Sequence, residues 1–92
     1  MTREDAIKLV HLYAKIGAYL DQSVAFRRDH DQQYDANGGA HPTGKVMGEL
    51  YCELMAPLYK RFPDLLPDYL DGPYSIPSST YRPKFYESPD VQ

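Results

Sequence analysis

No proline precedes Pro42, whereas five of the eight (Pro67, Pro73, Pro77, Pro83 and Pro89) follow residue 65. Proline fixes φ and lacks an amide donor, so long helix is open to the first part of the chain and closed to the last. The 92 residues divide into a proline-free first segment, a second segment to about residue 71, and a Pro/Ser/Tyr tail. We read them as a helical domain over 1–72 followed by an extended Pro/Tyr-rich C-terminal tail over 73–92.

The first segment carries the marks of one long helix. Thr2 with Asp5 three residues on fits a capping box. Glu4 and Asp5 suit the positive end of the helix dipole, and Arg27 and Arg28 the negative end. Ala6, Leu9, Tyr13, Ile16 and Leu20 recur at helical spacing and predict one buried stripe. Glu4, Lys8, His11, Lys15 and Gln22 fall on the opposite, polar face, where His11 reads as a surface residue. A helix from about residue 3 to about 28 is roughly 38 Å long and needs a partner.

Asn37-Gly38-Gly39 and His41-Pro42 interrupt this pattern, and Thr43 is then expected to cap a second helix. Met47, Leu50, Leu54 and Leu58 form its apolar stripe. Pro57 lies inside it and predicts a kink, or a break and restart. The stretch from Pro63 to Gly72 reads as one or two short helical turns. Ala14, Gly17 and Ala18 on the first helix, and Gly48, Cys52 and Ala56 on the second, make small-residue stripes that point to a close helix crossing with Cys52 buried in it. The expected fold is all-α: an antiparallel helical hairpin, its second helix kinked at Pro57, with short C-terminal helical turns and the extended tail. Two helices leave apolar surface uncovered. A homodimer forming a four-helix bundle, with the tail partly packed through Tyr74, Ile76, Tyr81, Phe85 and Tyr86, is the expected remedy.

Chemistry is harder to find. Asp29, His30, Asp31, Asp35 and His41 are the densest group of metal-ligand types, yet their spacing fits neither an EF-hand nor a zinc site. Turn chemistry explains such a loop. Cys52 has no family signature around it, Ser78, Ser79 and Thr80 lack a nucleophile-elbow setting, and Gly38-Gly39 lacks the strand and Lys of a phosphate loop. No catalytic residue, metal or cofactor is therefore assigned, and an enzyme is not expected. The longest apolar runs are too short to span a bilayer, the N-terminus has no signal-peptide pattern, and one cysteine makes no internal disulfide. A cytoplasmic protein without a membrane partner is the expectation.

The net charge of −3 is concentrated in residues 46–72 and argues against nucleic acid as partner. Asp64, Asp68 and Asp71 sit on Pro-Asp turns beside Tyr69 and Tyr74. Acid groups on rigid backbone next to amphipathic rings suit docking on a protein with a basic surface. The partner-binding set is accordingly Asp64, Asp68, Tyr69, Asp71 and Tyr74. A short, acidic chain without catalytic groups has the format of small inhibitors such as immunity proteins, antitoxins and phage-encoded inhibitors. The expected function is a binding protein that inhibits or neutralises a macromolecular partner. The alternative is an accessory or structural subunit of a larger assembly, docking through its tail.

Overall fold

A 28-residue helix, α1 (Arg3–His30), runs the length of the molecule, whose longest extent is 45 Å. The structure, a computed structural model, describes residues 1–89; the last three residues of the expected tail lie outside the described ones. Thr2 caps α1 as its sequence predicts. Its hydroxyl accepts from the Asp5 amide at 3.1 Å, and the Asp5 carboxylate accepts from the Thr2 amide at 3.3 Å. These bonds hold the Asp5 carboxyl below its usual pKa.

Residues 31–40 turn the chain. Gly38 and Gly39 take positive φ (93° and 57°), which glycine adopts most readily because it lacks a Cβ. The second helical stretch then has three parts: α2 (His41–Glu49), a π-helical segment (Leu50–Met55) and α3 (Ala56–Arg61). It starts two residues before the expected cap. Ala40 holds the cap position without a side-chain bond, Pro42 occupies the first turn, and Thr43 is buried instead. Pro57 is the second residue of α3, which continues directly from the π-helical segment. Just before it the ladder widens, the Ala56 amide reaching back to the Tyr51 carbonyl. A wider turn there relieves the crowding that a pyrrolidine ring imposes on the carbonyl four residues back. The expected break and restart is thus not seen: the stretch stays helical through Pro57, and a π-helical segment precedes the proline.

Three 3₁₀ turns follow, at Pro63–Leu65, Asp68–Leu70 and Ser78–Tyr81. The loop between residues 66 and 74 is closed on itself. The Asp68 amide donates to Tyr74 O at 2.8 Å, the Tyr74 amide to Leu66 O at 3.0 Å and the Gly72 amide to Pro67 O at 2.9 Å. A Cβ on Gly72 would overlap the Leu66 carbonyl oxygen, so the loop demands glycine there. The fold is all-α, with no strand among the described residues.

The core joins Ala6, Val10 and Ala14 of α1 to Met55, Leu58 and Tyr59, with Leu65 and Ile76 closing it from the C-terminal segments. This corrects the expected stripe. Only Ala6 of it is buried, while Leu9, Tyr13, Ile16 and Leu20 stay half-exposed and Leu12 beside them is 49% exposed. Small residues at positions 6, 10 and 14 let the neighbouring segments approach that side of α1, and the larger side chains are left at its margin. The close crossing expected at the glycines is also corrected, because a Cβ on Gly17 or Gly48 would meet nothing within 4 Å. Cys52 is exposed rather than buried in such a crossing.

The tail lies along α1 in the same direction, on the side expected to be free. His11 Nε2 is 2.8 Å from the Tyr74 hydroxyl and Nδ1 is 3.1 Å from the Thr80 hydroxyl. Lys15 Nζ donates to Arg82 O at 3.1 Å and the Tyr19 hydroxyl to Pro83 O at 2.9 Å. Gln22 Oε1 accepts from the amides of Phe85 and Tyr86 at 2.6 and 3.0 Å, and the Tyr86 hydroxyl donates to Asp29 at 2.7 Å. An extended, proline-rich segment has no ladder of its own, so its backbone groups must find partners elsewhere. The polar stripe of α1 supplies them, and His11 is a strut rather than a surface residue. Of the five tail residues expected to pack, Ile76 is buried and Tyr74, Tyr81 and Tyr86 are half-buried, but Phe85 is 59% exposed.

Candidate functional site

The space left beside Gly17 and Gly48 is a groove of about 570 Å³. α1 contributes Tyr13, Ala14, Gly17, Ala18 and Asp21 to its wall; α2 contributes Met47 and Gly48. The π-helical segment adds Leu50, Tyr51 and Met55, and the 3₁₀ turns add Tyr69, Leu70 and Tyr81. Its size falls within the roughly 300–1,000 Å³ of ordinary ligand sites. Packing explains why it stays open. Opposite Leu50, Tyr51 and Met55, α1 presents Ala14, Gly17 and Ala18, which are too small to fill the space.

Tyrosine dominates the chemistry of this region. Behind the groove, Tyr59 is buried and its hydroxyl completes no hydrogen bond of good geometry, although the Tyr69 phenol is near enough to influence it. Burial pushes the Tyr59 phenol far up, and the neighbouring phenols of Tyr69, Tyr51 and Tyr13 add to the shift. Tyr69 is raised by burial, with Tyr81 and the Asp68 carboxylate contributing. Tyr81 is raised by burial and then by Asp68. Five phenols thus gather in one region, and burial favours the protonated form of Tyr59, Tyr69 and Tyr81.

Two carboxylates border the groove without a basic partner. The ion pairs among the described residues are Arg3–Asp64, Arg28–Asp29 and Lys84–Glu87, and none includes Asp21 or Asp68. The groove wall carries no Lys, Arg or His.

The residues picked from sequence are dispersed by the fold. Tyr69 reaches the groove rim, 51% exposed, and Asp68 stands beside it. Asp71 is exposed at a left-handed backbone position (φ 63°) that closes the 3₁₀ turn. Asp64 is engaged by the Arg3 guanidinium, and Tyr74 is half-buried with its hydroxyl on His11. Sequence reading missed Asp21, Met47, Tyr51 and Tyr81 as groove residues. The facing small residues were its signal, but small side chains mark a close contact and an open space equally well, and only the backbone path separates the two.

Asp29 at the end of α1 and Asp31 just after it are both hydrogen-bonded. Asp29 accepts from the Tyr86 hydroxyl and from Arg28, and Asp31 accepts from the Gln33 amide at 2.9 Å. Among the described residues no three His, Cys, Asp or Glu side chains converge as metal ligands. None of the described helices is long and apolar enough to cross a membrane. No protein-family model matches the chain, and no curated protein or solved structure matches it either.

Proposed function

We propose that this chain is a binding protein that inhibits or neutralises a macromolecular partner bearing a basic surface. The observation that carries the reading is the open groove, walled by four tyrosines and bordered by Asp21 and Asp68, neither in an ion pair. Surfaces of this kind suit recognition, since tyrosine brings apolar area and a polar tip together. The docking face centres on Asp68, Tyr69 and Asp71, with Asp64 and Tyr74 acting from its margin through their bonds to Arg3 and His11. No enzymatic step, cofactor or metal enters this reading, and its site of action is the cytoplasm.

Docking through the tail, as an accessory subunit, draws less support. Tyr74, Thr80, Arg82, Pro83, Phe85 and Tyr86 already hydrogen-bond to α1. The finer architecture belongs to the same proposal. The two helical stretches form an antiparallel hairpin, and two copies pair as a four-helix bundle over Leu9, Leu12, Ile16 and Leu20, which are all at least partly exposed. Sedimentation should give twice the 10.5 kDa chain mass, and Ile16→Glu should return the monomer.

The function is tested by capture from native lysate with wild type and with Asp68→Asn/Asp71→Asn. Asparagine tolerates the left-handed backbone at position 71, so the fold is kept. One partner with a basic surface, retained by wild type at low salt and lost by the variant, is the expected result. Equal retention by both would overturn the reading.

A further inference from the structure

Charge and shape in the groove say what kind of residue fills it. Its walls are tyrosine rings and apolar side chains, and its one ionised lining residue is Asp21. Aromatic faces attract cations, and most strongly where water is thinned. With no Lys, Arg or His in the wall, nothing there offsets a carboxylate that forms no ion pair. An anion brought to this place would meet repulsion from Asp21 and the negative ring faces; a cation would meet neither.

Exposure of the rim decides between a free small molecule and a side chain presented by a larger partner. Tyr51 and Tyr69 are 40% and 51% exposed, and Gly48 and Asp21 are open to solvent. A small ligand is held by enclosure of most of its surface. A groove with exposed aromatic edges is covered instead when the partner's own surface closes over them, the arrangement of a protein interface with its anchor in a pocket. The π-helical segment sets this shape, for it carries Leu50, Tyr51 and Met55 along one wall, and π segments are often kept where a fold has a functional use for them.

We infer that the groove seats a basic residue carried next to an apolar one on a partner polypeptide. The apolar side chain enters between Met47, Met55 and Leu70. The Lys or Arg lays its methylenes on the tyrosine rings and brings its charge to Asp21. This rests on the binding role proposed above and specifies the partner's chemistry.

The test uses the full chain and four probes: the capped dipeptides acetyl-Phe-Arg, acetyl-Phe-Gln and acetyl-Phe-Glu N-methylamide, and free 4-phenylbutylammonium. Amide chemical shifts report both site and affinity. The Arg dipeptide is expected to shift the amides of Gly17, Gly48 and Tyr69, binding about threefold to fivefold more tightly than the Gln form, the scale of a partly exposed ion pair. The Glu form should bind more weakly than either. Asp21→Asn should remove the preference for Arg while leaving the Gln affinity, and Gly48→Leu, which fills the groove from an open position, should abolish binding of all. Equal binding of the three dipeptides, shifts elsewhere on the molecule, or no binding overturns the inference. Tighter binding of phenylbutylammonium than of the Arg dipeptide overturns the polypeptide occupant. None of these outcomes depends on partner capture by Asp68 and Asp71, so the two proposals fail separately.

Discussion

His11 and Tyr74, 63 positions apart, meet with the imidazole Nε2 2.8 Å from the phenol oxygen, while Nδ1 of the same ring engages Thr80. Both ring nitrogens are thereby spent on the C-terminal segment. The pair fixes where the chain leaves its closed 66–74 loop and starts along α1. His11→Ala should strand two half-buried hydroxyls and cost ~1–2 kcal/mol. At this size each kcal/mol lowers the melting temperature by about 4–8 °C. The double variant with Tyr74→Phe should cost less than the sum of the singles; strict additivity would mean that the bond carries no weight.

Glycines separate into two kinds by what surrounds them. Gly72→Ala would drive a methyl group into the Leu66 carbonyl and should open the 66–74 loop, seen as loss of amide protection at Asp68 and Tyr74. Gly17→Ala and Gly48→Ala meet open space within helical segments and should each stabilise by up to ~1 kcal/mol. Destabilisation by either would restore the close crossing.

Tyr59 brings a hydroxyl into the core without a well-made bond. Removing an unsatisfied buried group costs little and can help, so Tyr59→Phe should melt at or above the wild-type temperature. The raised phenols of Tyr59, Tyr69 and Tyr81 also set a direction with pH. The folded state holds these protons where the unfolded chain releases them. Stability is therefore complete below the ordinary tyrosine pKa of about 10 and should fall as pH rises above it. Tyr59→Phe should flatten that fall, as followed by denaturant unfolding at pH 8 and pH 11.

Asp29 behaves oppositely. The hydroxyl of Tyr86, and then Arg28, favour its ionised form and lower its pKa. Its contribution is present above the unfolded carboxylate pKa and is lost as pH falls through the lower folded value. Acidification should loosen the distal tail at Phe85 and Tyr86 before the core, read from amide shifts, and Asp29→Asn should remove that step. Simultaneous loss of tail and core would refute the order.

Much of this was written in the chain. The capping box at Thr2 and Asp5, the length of α1, the glycine turn at 38 and 39 and the short turns after Pro63 depend on neighbours within a few residues. Local backbone physics settles such features before tertiary contacts form. What sits against what was decided only by the tertiary structure. Leu9, Tyr13, Ile16 and Leu20 read as a core stripe because periodicity identifies a face without saying which neighbour arrives. His11, Lys15 and Gln22 read as solvated because a polar side chain looks the same in sequence whether it bonds to water or to a distant backbone. Asp64 and Asp68 share one local context, yet Arg3 engages the first and leaves the second without an ion pair. The groove has no local signature at all, for a void arises from the paths of segments far apart in the chain, and its small and aromatic walls become one surface only when those paths are fixed.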